Sequence, residues 1–182
     1  MSDRPLDAAA LSALYVSAAA TAAAPSSLAR LPAPGLEFAF RVEAAVSGPL
    51  EVGVVDGGRR RIIPILGGIV RGPKIEAEVL PGGADWQVLR DDANTSVLAR
   101  YTLRTNDGHL ISVVNTGIRR GSPDVLKRLA GPAFVDPSTY YFRSTPTFEV
   151  ADGHYAWLRE SVFVCTGARE ASRVILDCYA VG

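Results

Sequence analysis

Residues 36–46 read LEFAFRVEAAV. Leu36, Phe38, Phe40 and Val42 fall on one face of an extended chain, and Glu37, Ala39, Arg41 and Glu43 on the other. Side chains alternate between the faces of a strand, so this period of two predicts a strand with one buried face. Similar segments recur at short intervals: LEVGVV, RRIIPIL, KIEAEVL, DWQVLR, SVLARYTLRT, HLISVVNTG, TYYFRSTPTFEV, YAWLRESVFVCT and RVILDCYAV. Turn signals separate them, namely DGG, LGG, PGG, DDAN, NDG, ADG and GARE. About ten strands joined mostly by hairpins predict an all-β, antiparallel barrel, because closure removes exposed edges. A two-sheet sandwich is the alternative. Only SPDVLKRLAG breaks the series, as one short inserted helix over 123–130, capped by Ser122 or Asp124 and ended by Gly131.

Upstream of Leu36 the composition changes. Residues 1–35 are rich in alanine and close with Pro25, Pro32, Pro34 and Gly35. Alanine is the strongest helix former, Asp7 can cap the start and Pro25 stops the run, which predicts a helix over about 8–24 followed by a linker. A secretory leader cut after the alanines before Pro25 is the other reading, although Asp3 and Asp7 offset Arg4 where a leader needs net positive charge. A retained helix goes with a cytoplasmic protein, and a cleaved leader with a periplasmic or secreted one. The remainder, 36–182, reads as a single domain of ordinary size.

Nineteen basic and nineteen acidic residues balance. That argues against nucleic acid or an anionic membrane as the main partner, since both are met with clustered Lys and Arg. No apolar run is long enough for a membrane span. GGIVRGPK resembles a phosphate loop only faintly, for proline precedes its lysine and no Ser or Thr follows it. There is no G-x-S-x-G elbow and no H-E-x-x-H. His109 and His154 each lie near a turn glycine, and with no cysteine cluster a metal site is not expected. Cys165 and Cys178 sit on the two arms of a hairpin through GARE. A turn centred near residue 170 puts them about three positions out of register, which predicts free thiols.

What remains is a density of arginine and large aromatics inside apolar strands: Arg59, Arg60 and Arg61; Arg100, Tyr101 and Arg104; Tyr141 and Arg143; Tyr155 and Trp157; and the pair Asp85–Trp86 after the PGG turn. Such residues can coat the outside, arginine stems lying over apolar neighbours. Alternatively they line a lumen, since a barrel of this size can hold one small ligand between aromatic walls and a few polar groups. Periodicity alone does not say which face is the lumen. With Asp85 at the rim, its carboxylate is expected to reach Arg104 or another lumen arginine, and the pocket to open there with Tyr141, Arg143, Tyr155 or Trp157 among its walls.

The ordered motifs GRRRIIPILGGIVRGPKIEAEVLPGGADWQ, ARYTLRTNDGHLI, YYFRSTPTFEV and YAWLRESVFV resemble those of the bacterial and fungal proteins grouped as domain of unknown function 3237, over about residues 36–182. The resemblance implies a calycin- or lipocalin-like barrel, self-association into a homo-oligomer, and cofactor-free closure of oxygen heterocycles by adding a hydroxyl across an activated alkene. The leading expectation is therefore a lyase or isomerase (a cyclase) acting on a small aromatic or enone-bearing molecule, with no cofactor. Asp85 would be the base, and Arg104 or Arg143 would hold the developing oxyanion with Tyr141 as donor. Trp86 and Trp157 would grip the ring, with Arg60, Tyr101 and Tyr155 as further binding residues. A carrier without turnover is the rival, and a third reading has Asp85 merely pinning the rim to an arginine.

Overall fold

A computed structural model of the chain describes residues 30–90 and 93–182. The helix or leader expected over residues 8–24 lies outside them. The strands are β1 (Leu36–Val46), β2 (Leu50–Val55), β3 (Gly58–Gly72), β4 (Ile75–Val79), β5 (Ala84–Leu89), β6 (Asn94–Thr105), β7 (Leu110–Arg120), β8 (Tyr141–Glu149), β9 (Val162–Arg169) and β10 (Arg173–Val181). One helix, α1 (Pro123–Leu129), sits between β7 and β8, and the Ser122 side chain caps it by accepting from the Val125 N–H. All pairings are antiparallel. They run β1-β10-β9-β8-β7-β6-β4-β3, and β3 returns to β1, closing a barrel of eight strands. β5 pairs with β3 and β6 at the end that β4 leaves uncovered, while β2 adds to β3. Among the described residues, no helix is long and apolar enough to cross a membrane.

Three local features depart from simple alternation. In β1 the register against β10 shifts between Phe38 and Phe40. This bulge turns two phenylalanines of one period onto opposite faces: Phe40 is buried at 1 % exposure, whereas Phe38 is 42 % exposed and meets Tyr179 edge-on. The LGG expected as a turn is a bend within β3, which runs through Gly67 and Gly68 without a break. The YAWL motif is not strand. Ala156–Leu158 forms one 3-10 turn that carries Trp157 beneath the barrel core.

The cysteines correct another expectation. β9 continues to Arg169, so the β9–β10 turn centres beyond Glu170 and Cys165 lies directly opposite Cys178. Their Cα atoms are 4.2 Å apart and the two are disulfide-bonded. A shift of one or two residues in the turn is enough to convert a mismatch into a facing pair, because each residue moved on one arm moves the register by two. Protein prepared without reductant is therefore expected to yield no free thiol on denaturation. Reduction is expected to lower unfolding stability by about 3 kcal/mol, as for a closed loop of this size. A count of two thiols in unreduced protein would sink the pairing.

Candidate functional site

Closure of the ring assigns the faces. Facing residues of paired strands share a face, and the rows Thr95–Arg119–Phe142 and Tyr101–Val113–Phe148 run around the inside of β6, β7 and β8. One end of the interior is apolar. There Phe40, Phe148 and Phe163 pack ring against ring with Trp157, and Leu103, Ile111 and Val113 are at most 1 % exposed. The other end is polar. Gln87, Thr95, Asn115, Arg119 and Ser144 are all buried.

At the polar end lies a cavity of about 610 Å3. Arg61 of β3, Gln87 of β5, Thr95 of β6, Arg119 of β7 and Arg169 of β9 line it. Apolar walls come from Ile63, Leu89, and the Leu126 and Leu129 side chains of α1. Exposed Pro49, Glu51, Arg59 and Ala171 form its outer edge. The volume falls within the range of small-molecule sites.

Asp85 sits behind Gln87 on the inner face of β5. Arg61 Nε donates to Gln87 Oε1 at 2.9 Å, and Gln87 Nε2 donates to Asp85 Oδ2. Asp85 Oδ1 accepts the main-chain N–H of Leu98 at 3.1 Å. That bond lies where the β5–β6 ladder is interrupted between the Asp85–Ala99 and Val88–Ser96 pairs. Burial pushes the Asp85 carboxyl above its ordinary value, outweighing the hydrogen bonds from Gln87 and Leu98 and the charges of Arg119 and Arg61, which all act the other way. Arg119 is 5 % exposed, and its pKa is pushed down to about 10, first by burial and then by the charge of Arg61, with Arg169 adding to the effect. Its Nε has no hydrogen-bond partner among the described residues, and neither do Asn115 Oδ1 and Ser144 Oγ. Its guanidinium lies 5.9 Å from the centre of the Phe142 ring. Among the described residues, no three His, Cys, Asp or Glu side chains converge as a metal ion would require.

The residues singled out from sequence are therefore divided. Asp85 is at the polar end, but it does not meet Arg104, and the cavity opens at the Leu89 end of β5 rather than beside the PGG turn. Regular alternation already holds at Ala84, so Asp85 turns inward and Trp86 outward. Arg104 lies on the outer face, in an ion pair with Glu78. Tyr141 and Arg143 are outside as well, where Arg120 and Arg143 stack on the Tyr141 ring at 5.2 and 5.3 Å. Arg60 pairs with Val88 on the face opposite Arg61. Trp86 lines an outer groove beside Pro81, Gly82 and Arg100. Tyr101 packs against the core. Tyr155 and Trp157 belong to the apolar end, where the Tyr155 hydroxyl donates to Asp107 at 3.0 Å. None of these borders the polar cavity. Sequence reasoning does not single out Gln87, Arg119 or Arg169, and it names Arg61 without giving it a role. A signal for two of them was present: Arg61 is in phase with Ile63 and Ile65, and Arg119 with Ile111, Val113 and Asn115.

Comparison with known proteins follows the same barrel. The family model described as "Protein of unknown function (DUF3237)" matches residues 34–181. A UPF0311 protein from Rhodopseudomonas palustris is 40 % identical over 145 residues, covering 80 % of this chain and 95 % of the relative. A crystal structure of a conserved protein of unknown function from the same organism superposes with a TM-score of 0.81 at 39 % identity, over 83 % of this chain and 99 % of that one. The structure of an enzyme from Penicillium herquei superposes with a TM-score of 0.65 at 20 % identity, over 85 % of this chain and 99 % of that one, a likeness of fold alone.

Proposed function

The chain belongs to the DUF3237 family of proteins of unknown function, and from that footing we propose that it is a small-molecule enzyme of lyase or isomerase type working by acid–base chemistry inside the barrel. The observation that carries this reading is Asp85, a part-buried carboxylate with a raised pKa, linked to Arg61 through Gln87, which lines the polar cavity with Arg61. Proton acceptors tuned upward by burial are what such catalysis needs near neutral pH. A barrel of this fold is an enzyme in Penicillium herquei, so the fold is compatible with turnover.

In the proposed reaction the ionised Asp85 takes the proton of a substrate hydroxyl. The oxygen adds to the β-carbon of an enone, and the alkene electrons move onto the carbonyl oxygen. Arg61 stabilises that enolate from the cavity wall. Asp85 then returns the proton to the α-carbon, so the product is an isomer of the substrate and nothing else is consumed.

The test is turnover of ortho-hydroxyphenyl enones, followed by loss of enone absorbance. Asp85→Asn is expected to lower kcat roughly a hundred- to ten-thousand-fold while binding survives. The base acts only when ionised, so kcat should rise with pH through a midpoint above the usual carboxylate range, and Asp85→Asn should remove that limb. The second reading, a binding protein without turnover, draws on the Asp85–Leu98 bond, which by itself accounts for Asp85 as a clamp between β5 and β6. Enones that bind and are never converted would favour it, whereas equal turnover by Asp85→Asn would remove Asp85 from the role of base.

A further inference from the structure

We propose that the natural ligand of the polar cavity is a small organic carboxylate, its apolar body against the α1 side and its carboxylate on Arg119, with Arg169 and Arg61 alongside. This rests on the cavity being the ligand site, as above, and not on turnover.

The first support is charge. Arg61, Arg119 and Arg169 line the cavity, and Asp85 lies behind Gln87. Three guanidinium groups against one carboxylate leave two positive charges unbalanced. The other two charged residues of the lining, Arg59 and Glu51, lie 3.5 Å apart and offset each other at the outer edge. The second support is hydrogen bonding. Arg61 Nε is committed to Gln87, and Arg169 Nη1 donates to the Arg173 carbonyl oxygen. Arg119 has no such commitment: it is 5 % exposed and its Nε is unpartnered. A buried guanidinium with an unsatisfied N–H is costly, so burying one in the wall of this cavity makes sense where an anion completes it. A guanidinium fork matches a carboxylate with two parallel bonds. The third support is the wall opposite. Ile63, Leu89, Leu126 and Leu129 face the same space and have nothing to offer an inorganic anion. Asp85 repels a second negative charge nearby, which favours a singly charged group over a phosphate dianion.

The experiment is calorimetric titration and thermal shift of the full chain with 2-naphthoate, its neutral analogue 2-naphthamide, and inorganic phosphate. The expected result is naphthoate binding at least tenfold more tightly than naphthamide, with weakening at higher salt. Arg119→Met is expected to lose most of that preference and change naphthamide binding little. Removing an unpartnered buried charge should leave the unliganded melting temperature unchanged or raised. Should Arg119→Met fail to fold, Arg169→Gln reads out the same preference. Equal affinity for acid and amide, binding of phosphate in place of naphthoate, or no binding of either aromatic probe would overturn the proposal. Naphthoate preference without any enone turnover would sink only the catalytic reading. Turnover without carboxylate preference would sink only this one.

Discussion

Gly68→Ala is expected to lower the melting temperature by about 10 °C. Gly68 sits in β3 at φ +150°, and a Cβ placed there would stand 2.2 Å from the Glu43 carbonyl oxygen and 2.9 Å from the Ala44 Cα. Both are backbone atoms of β1, which is hydrogen-bonded to β3 and cannot retreat without opening the seam that closes the barrel. The backbone angle costs a side-chain-bearing residue about 1–3 kcal/mol. Forcing an extra carbon into a packed contact adds about 1–3 kcal/mol. For a domain of this length each kcal/mol is worth roughly 2–4 °C. Gly67→Ala is the internal control. It shares a positive φ of +144°, but its nearest contact, the Val79 carbonyl oxygen at 3.5 Å, is ordinary. It should therefore show the angular cost alone, a fall of only a few degrees. Equal shifts for the two would mean that β1 yields and the contact carries nothing.

Phe40→Ala should cost about 3–5 kcal/mol in equilibrium unfolding by urea, the loss expected when a large ring leaves a packed core. Phe40 is 1 % exposed, with ring centres 6.0 Å from Phe148, 6.0 Å from Phe163 and 6.5 Å from Trp157. Its partners come from β8, β9 and the 3-10 turn, so no single neighbour can move in to fill the void. Phe38→Ala, two residues away and 42 % exposed, should cost about 1 kcal/mol or less, the loss of one edge-on contact with Tyr179. A Phe40→Ala cost below about 1.5 kcal/mol would indicate an apolar end that collapses around the void.

These two phenylalanines mark how far reading along the chain reaches. Strand content and antiparallel pairing were legible in LEFAFRVEAAV and the segments like it, and the inserted helix in SPDVLKRLAG, because alternation, caps and turn residues are local physical constraints. The family was legible only as a resemblance of four longer motifs. Asp85 was legible as an unusual strand residue, for a carboxylate beside a tryptophan after two turn glycines is not ordinary strand composition. Its partners were not. Arg60 and Arg61 are neighbours in sequence, and so are Arg119 and Arg120, yet one of each pair faces the cavity and the other faces outward. Period two says that they differ, and only closure of the ring says which is inside. The bulge at Ala39 and the length of the β9–β10 turn act likewise, each shifting a register by a residue or two. One such shift parts Phe38 from Phe40, and the other brings Cys165 opposite Cys178. Register is the sum of many weak pairings between distant strands, settled together when the barrel closes, so no single segment carries it.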